Sequence, residues 1–382
     1  MDQTIHLAPS NDLSVSLHVL QSLESMLWTG PWHVLREKLF LVGDICAEMT
    51  IVPSFFVNIS RGDFDRAAVA LYFIAGFLCI SLLQMRRLDM ASVDASVRPL
   101  LDVTRQIEKE ALLLDTRESP GMQRLERTAN TLVSLRFIAR WQGPLVAVVM
   151  VLMFLVTGRE IVPYYPEVDN PWLKFFIVLF HSSCVFHSAA VFLILSSLHW
   201  MALMCVDCAT HLLIDRVNDV RSWRQLLELV GLHQQLVFGL QRVQACFAED
   251  LSLVVRLMLI LGVIGAVRMS LGIRDVSNTT VWLTIFAYIT MVCVAAQMQE
   301  NAGEEFHFAI RSSCPWEAWG TKERHLFSLL VMFTRQPPEV RFLYFGALRL
   351  STLSNIFNAV FKYTQVLRAS IGDTAGMASG PS

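Results

Sequence analysis

The chain has few charged residues and none of the common catalytic sequence motifs. Only 17% of its 382 residues are Asp, Glu, Lys or Arg, while 54% are apolar. It contains no phosphate-binding glycine loop, no H-E-x-x-H and no G-x-S-x-G. Its first 33 residues lack a basic start followed by an apolar run, so no removable signal peptide is expected. The sequence therefore predicts no enzyme, no cofactor and no metal site.

Long apolar stretches, in contrast, are abundant. Backbone polar groups must be satisfied internally in hydrocarbon, so an apolar run of about 20 residues predicts a membrane-spanning helix. The expected fold class is all-α, a bundle of seven transmembrane helices. The expected spans are 35–57, 66–86, 142–158, 173–199, 251–273, 280–299 and 342–367.

The basic residues predict the orientation of these spans. If the N-terminus is inside, the inside segments hold about two thirds of the 31 Lys and Arg residues, as the positive-inside rule requires. Asn58 and Asn278 begin N-x-[ST] acceptors in short loops on the opposite side, which predicts glycosylation there. An inside N-terminus with seven spans puts the C-terminus outside.

Three segments between the spans have an amphipathic helical pattern. They cover residues 98–117, 223–247 and 322–336. Such helices must cover their apolar stripe. We expect them to pack against each other beneath the bilayer, with a subunit interface as the alternative.

The last span is unusually polar for its length. Facing lipid, its polar stripe would be very costly. The stripe therefore lines a pore shared by several subunits, or it joins helices inside one bundle. Its members recur at helical spacing: Ser351, Ser354, Asn355, Asn358, Lys362 and Gln365.

The C-terminal third resembles the insect odorant receptors. Residues 297–342 contain the S-x-x-W/P-W turn at 312–316 and the R-x-P run at 335–337 of that family. The segment LSTLSNIFNAVFKYTQVLR at 350–368 is similar to the family's final helix. Lys362, Thr364 and Asn358 depart from the residues that are common there.

This resemblance implies an olfactory receptor subunit of a ligand-gated, non-selective cation channel. Such a subunit is expected in the plasma membrane of sensory neuron dendrites, in a tetrameric heteromer with the odorant co-receptor. The short inner loop between the fourth and fifth spans resembles the odour-tuning subunit and not the co-receptor. The expected layout is an intracellular N-terminus (1–34), six spans with a ligand pocket (35–299), an anchor segment (300–341), the pore helix (342–368) and an extracellular tail (369–382).

Candidate site residues follow from the same resemblance. A volatile ligand needs an apolar cavity with few polar groups. Candidates in the outer half of the spans are Tyr72, Phe73, Met150, Met153, Phe154, Phe180, His181, Cys184, Trp282 and Phe286. The expected pore and gate residues are Asn358, Lys362, Gln365, Val366 and Ser370.

Other classes of protein remain as alternatives. A gustatory-type channel would share the topology, although the residues at 362–370 differ from its usual terminal motif. An unrelated seven-helix receptor coupled to G proteins would have the opposite orientation. A transporter would show internal repeats with broken helices in both halves, and none is evident.

Overall fold

The computed structural model describes residues 13–26, 31–113, 119–158, 162–270, 276–335, 339–342 and 346–378. These ranges contain ten α-helices, a one-turn 3-10 helix (Trp316–Ala318) and a two-stranded hairpin, β1 (Arg341–Phe342) and β2 (Gly346–Ala347). The expected all-α class is confirmed. The helices are α1 (Val15–Met26), α2 (Pro31–Ser60), α3 (Phe64–Leu88), α4 (Met90–Leu113), α5 (Pro120–Thr157), α6 (Pro171–Val217), α7 (Trp223–Ser270), α8 (Val276–Ser313), α9 (Thr321–Thr334) and α10 (Leu350–Ala378).

Local capping explains where several helices begin and end. The Ser119 side chain accepts a hydrogen bond from the Met122 amide at 3.1 Å, and α5 then starts with a proline. Asn170 caps α6 in the same way through the Trp172 amide at 3.0 Å. Gly158 ends α5 in a left-handed conformation with a φ of 63°, which glycine adopts without steric cost.

Four helices are longer than a bilayer requires. α6 has 47 residues and α7 has 48, so each is roughly 70 Å long, against about 30 Å of hydrocarbon. The other two are α5 and α8. We call the end with the turn at 60–63 and the loop at 158–170 the outer end, and the opposite end the inner end.

Two helical segments of the described residues are long and apolar enough to cross a membrane. They are Glu37–Ser60 in α2 and Ser197–Val217 in α6, and the second is mostly buried inside the protein. The segments Ala147–Val156 and Pro171–Val185 are apolar but shorter. Every expected span overlaps one of the helices α2, α3, α5, α6, α7, α8 and α10.

Most of the apolar packing lies at the inner end. The inner core is the buried cluster around Leu203, Leu213, Leu226, Leu236 and Phe306. It is formed where α4 packs against α6 and α7 and where α6 packs against α8. The amphipathic segments predicted at 98–117 and 223–247 therefore pack against each other, as expected.

A buried carboxylate attaches α1 to this core. Glu108 of α4 accepts hydrogen bonds from the hydroxyls of Ser14 and Ser16, each at 2.5 Å, and from the Ser16 amide at 3.1 Å. Burial raises the pKa of Glu108 above its usual range, and these three hydrogen bonds oppose the rise. The polar contact fixes the N-terminal end of α1 against α4.

The last helix begins later and ends later than the sequence suggested. The expected start at 342 is wrong, because α10 begins at Leu350 and is preceded by the paired strands β1 and β2, with Arg341 opposite Ala347 and Gly346 at a φ of 75°. The expected extracellular tail from 369 is helical as far as Ala378. No proline lies between Pro338 and Pro381, so no proline forces the helix to stop at 368.

Candidate functional site

A small apolar cluster lies at the outer end, separate from the inner core. We call it the outer cluster: Ala47, Ile51, Ala70, Phe77, Met150, Val162 and Cys184. Its members come from α2, α3, α5, α6 and the loop at 158–170. Phe55, Phe73, Ile74 and Val185 pack at its margin and are only partly buried.

Residues 162–165 of the loop between α5 and α6 pack over this cluster. Val162 and Tyr164 are buried, and the Tyr165 amide donates a hydrogen bond to the Thr50 carbonyl of α2 at 3.0 Å. Pro53 lies inside α2 and has no amide hydrogen, and an internal proline disturbs the carbonyls of the preceding turn. The break in the helical hydrogen bonding explains why a helix carbonyl can receive the loop.

A buried histidine borders the outer cluster. His181 of α6 is 2% exposed, and its Nε2 lies 3.2 Å from the Thr50 hydroxyl oxygen. Its ring lies 6.0 Å from the Tyr164 ring and 5.6 Å from the Phe180 ring, measured between centroids. Asp44 of α2 is also buried and interacts with Cys184. The arrangement offers an apolar surface with few polar groups, which is what a small, mainly apolar ligand requires.

The structure brings together several of the residues nominated from the sequence. Met150 and Cys184 are buried in the outer cluster, Phe73 packs at its margin, and His181 lies beside it. The other three nominated residues on α5 and α6 are less enclosed. They are Phe154, which is half-buried, and Met153 and Phe180, which are exposed.

Three further nominations are not part of this cluster. Tyr72 belongs to the inner core instead, and its hydroxyl donates to the Leu261 carbonyl of α7 at 2.8 Å. Phe286 of α8 is 46% exposed, and its ring lies 4.9 Å from that of Phe357 on α10. Trp282 is in α8, but its side chain lies outside the described residues. The expected Tyr72–Phe73 pair is thus divided, because adjacent helical residues point about 100° apart.

Two features of the outer end escaped sequence reasoning. Thr50 contacts His181 from α2, 131 positions away along the chain. Tyr164 contacts the same ring from the loop before α6. The internal Pro53 was the one available signal that α2 departs from regular hydrogen bonding near Thr50. The Arg268 guanidinium donates to Asp65 at 2.7 Å and 3.0 Å, which ties α7 to the start of α3.

The last helix divides into a packed face and an open face. α10 packs against α7 and α8, and Ile356, Val360 and Thr364 are buried on that side. The whole predicted polar stripe is exposed in the single chain, from Ser351 to Gln365. Within this chain the stripe does not join helices to each other.

The predicted gate residues share this open face. Asn358, Lys362 and Gln365 are exposed, and Val366 is 62% exposed. The side chain of Ser370 lies outside the described residues.

An ionic cluster holds the inner end of α10. The Arg349 guanidinium donates to both carboxylate oxygens of Glu300 on α8, at 2.9 Å and 2.5 Å, and to Glu339 at 3.1 Å. Glu300 is buried, so this bidentate contact is of the stronger, charge-assisted kind. It connects α8 directly to the start of the pore-helix candidate.

The two predicted glycosylation acceptors differ in what the structure describes. Asn58 lies in the last turn of α2, is buried and donates to the Ser54 hydroxyl at 3.1 Å. A glycan needs an exposed amide, so the folded arrangement argues against Asn58. Asn278 lies in the first turn of α8, but its side chain is outside the described residues. Those residues also contain no group of three or more His, Cys, Asp or Glu side chains placed to hold a metal ion.

Comparison with known proteins then gave one kind of match. No protein-family model matches the chain, and no curated protein matches its sequence. The structure of the insect olfactory receptor OR5 from Machilis hrabei superposes with a TM-score of 0.71, over 92% of this chain and 96% of that one, at 12% identity. The chain has the insect olfactory receptor fold.

A second structure of that receptor, in complex with eugenol, gives a TM-score of 0.66 at 13% identity and covers 92% of this chain and 97% of that one. The insect olfactory receptor fold therefore extends over nearly the whole molecule. At this identity the likeness concerns the arrangement of the helices.

Proposed function

We propose that the chain is an olfactory receptor subunit that binds volatile odorants and helps to form a ligand-gated, non-selective cation channel. The fold and the apolar outer cluster support this proposal. Eugenol, which the Machilis hrabei receptor binds, is a small and mainly apolar molecule of the size class that such a cluster suits. The proposal includes no enzymatic activity.

In this proposal α2, α3, α5, α6, α7, α8 and α10 cross the plasma membrane, with the N-terminus inside. The outer halves of α2 and α5 expose large apolar side chains, including Met49, Phe56, Leu145 and Val156. An exposed apolar surface of this extent supports contact with lipid. The positive-inside count supports a cytoplasmic position for the part of the inner core that α4 and residues 223–247 of α7 form.

The observation that carries the channel proposal is the exposed polar stripe of α10. Its six polar residues are exposed on a helix whose other face is packed against α7 and α8. Lipid contact would leave these polar groups unpaired in hydrocarbon at a cost of several kcal/mol each. Several subunits arranged around an axis would place the stripes at a shared water-filled pore.

A partner subunit also fits the inner end. α9 exposes Leu326, Leu329, Met332 and Phe333 in the single chain, the last two by 70% and 79%. Together with Phe308 of α8 they make an apolar surface that requires a cover in water. We assign this surface to contact with the odorant co-receptor in a tetramer. The connection between α6 and α7 spans only 218–222, which matches the odour-tuning type of subunit.

Current recording tests the proposal. Cells that express the chain with the co-receptor should give currents to some members of a volatile panel. Cells with either subunit alone should give a different set of currents across the same panel. Within responding channels, Lys362→Glu should raise Ca²⁺ permeability relative to Na⁺, because a positive charge at the pore repels the divalent ion twice as strongly.

Lys109→Glu on α4 is the matched control for the pore. It changes the same charge on an exposed residue at the inner end, and it should leave the permeability ratio unchanged. If Lys362→Glu also leaves that ratio unchanged in channels present at the surface, α10 of this subunit does not line the pore. If the surface-expressed pair responds to no volatile, the receptor function itself is wrong.

A further inference from the structure

His181 lies where the proposed ligand would need a polar contact, and the protonation of its two ring nitrogens determines which contact it offers. The ring is buried between α2, α6 and the loop at 158–170, with Cys184 one turn further along α6 in the outer cluster. Residues three positions apart on a helix share a face. A ligand that contacts His181 can therefore extend its apolar part over Cys184 and Ile51.

The Thr50 hydroxyl determines which ring nitrogen carries the proton. The Thr50 hydroxyl oxygen lies 2.8 Å from the Ala47 carbonyl, and that carbonyl can only accept. The single hydroxyl hydrogen is used there, in the back-bond that helical threonines commonly make. The same oxygen lies 3.2 Å from His181 Nε2, so Nε2 must donate. In a neutral imidazole the remaining nitrogen, Nδ1, is then an acceptor.

Nδ1 itself has no hydrogen-bond partner among the described residues, although it is buried. A buried acceptor without a donor is unfavourable, and a ligand that supplies the donor should gain about a factor of ten in affinity. Within the outer cluster the side-chain donor is the Cys184 thiol, and it is engaged with Asp44. A hydrocarbon ligand therefore leaves Nδ1 without a hydrogen-bond donor, whereas a molecule with one O–H group supplies that donor.

We propose that the outer site selects alcohols and phenols, whose hydroxyl donates a hydrogen bond to His181 Nδ1 while the hydrocarbon part covers the outer cluster. The inference rests on the proposed odorant-binding function and specifies its ligand class. Thr50 is a positioning residue, since it acts by holding the ring in the tautomer with Nε2–H. An ether, ester or ketone of the same size has no donor and leaves Nδ1 unpaired.

Isomeric ligand pairs isolate this hydrogen bond. Octanol and heptyl methyl ether have the same formula, as do phenethyl alcohol and benzyl methyl ether, and only the alcohols can donate. Dose–response curves should be measured on the chain co-expressed with the co-receptor. We expect each alcohol to be about tenfold more potent than its ether. Comparing the ratio between parent and variant cancels differences in partitioning into the membrane.

Two variants and a control connect the preference to His181. His181→Phe keeps an aromatic ring without nitrogen, and it should bring the alcohol-to-ether ratio close to one. Thr50→Val keeps the shape of the side chain but frees the ring to adopt the other tautomer, so it should reduce the ratio and improve ether potency. Ser183→Ala removes an exposed hydroxyl that donates to the Leu179 carbonyl on the same helix, and it should keep the parental ratio.

The outcomes separate this inference from the proposed function. Equal potency of alcohols and ethers on the parent, or an unchanged ratio in Thr50→Val, overturns the ligand class and leaves the receptor function standing. If His181→Phe does not reach the surface, Thr50→Val decides. If no volatile evokes current, thermal stabilisation of the purified full chain by octanol and by heptyl methyl ether decides the inference: equal shifts overturn it, and a larger shift with octanol supports it.

Discussion

The inner core and the outer cluster share α3, α5 and α6 but are packed very differently. The inner core runs continuously through α4, α6, α7 and α8 and contains large side chains with no exposure, among them Leu203 and Phe306. The outer cluster has seven buried residues, three of them alanine or valine, with partly exposed aromatic rings at its margin. Dense packing specifies one arrangement, whereas a small cluster with loose margins can adapt to different ligands.

The largest expected contrast is in stability. Phe306 is fully buried and stacks on His233 at 4.2 Å between ring centroids. Phe306→Ala should lower the free energy of unfolding by about 3–5 kcal/mol, the usual cost of removing a buried phenylalanine from a core that cannot collapse. Phe77→Ala makes the same change in the outer cluster and should cost less, because its partly buried neighbours can move into the space. Thermal denaturation of the two purified variants compares them directly, and equal losses would contradict the difference in packing.

A pH dependence sharpens the account of the inner core. Burial lowers the pKa of His233 to about 4, below its ordinary value near 6.5. Between these values the unfolded chain binds more protons than the folded chain, so stability is complete above pH 6.5 and falls as the pH drops towards 4. His233→Phe keeps a ring against Phe306 and removes the titration, so the difference in melting temperature between parent and variant should shift across this window. A constant difference from pH 7 to pH 4 would show that His233 is not buried in its neutral form.

The smallest expected effect concerns two aromatic residues on the ligand side. Phe73 packs on the outer cluster, while Phe286 contacts Phe357 of α10. Phe73→Ala should change the relative potencies of ligands by about 1–3 kcal/mol, the range for one altered group in an apolar site. Phe286→Ala should preserve the order of potencies and change the maximal current, since it touches the pore-helix candidate. Concentration–response curves across one ligand panel measure both, and a reordering by Phe286→Ala would place that residue in the ligand site.

Patterns that repeat over many residues of the sequence were sufficient to predict the seven candidate spans. Apolar runs marked the seven candidate spans, and the helical spacing of polar residues from Ser351 to Gln365 marked one face of α10. The structure shows that face exposed and the opposite residues Ile356 and Val360 buried. Periodicity predicts such a division because it repeats over several turns.

Contacts between distant residues were beyond sequence reasoning. The Thr50–His181 contact joins positions 131 apart, and the Asp65–Arg268 pair joins positions 203 apart. Each depends on how two helices are rotated about their axes, which apolar composition does not specify. The hairpin at 341–347 was missed for a different reason, because strands of two residues are too short to show an alternating pattern.

The continuity of α8 has a mechanical consequence. Phe286 near the outer end and Glu300 at the Arg349 contact lie on one helix, about 21 Å apart along its axis. The helix is 38 residues long and contains no proline, so it acts as a stiff lever of about 57 Å. A tilt of about three degrees about the level of Phe286 moves Glu300 by about 1 Å, enough to stretch a bidentate ion pair beyond hydrogen-bond range. A small rotation of α8 near the outer end therefore acts directly on the contact that holds the start of α10.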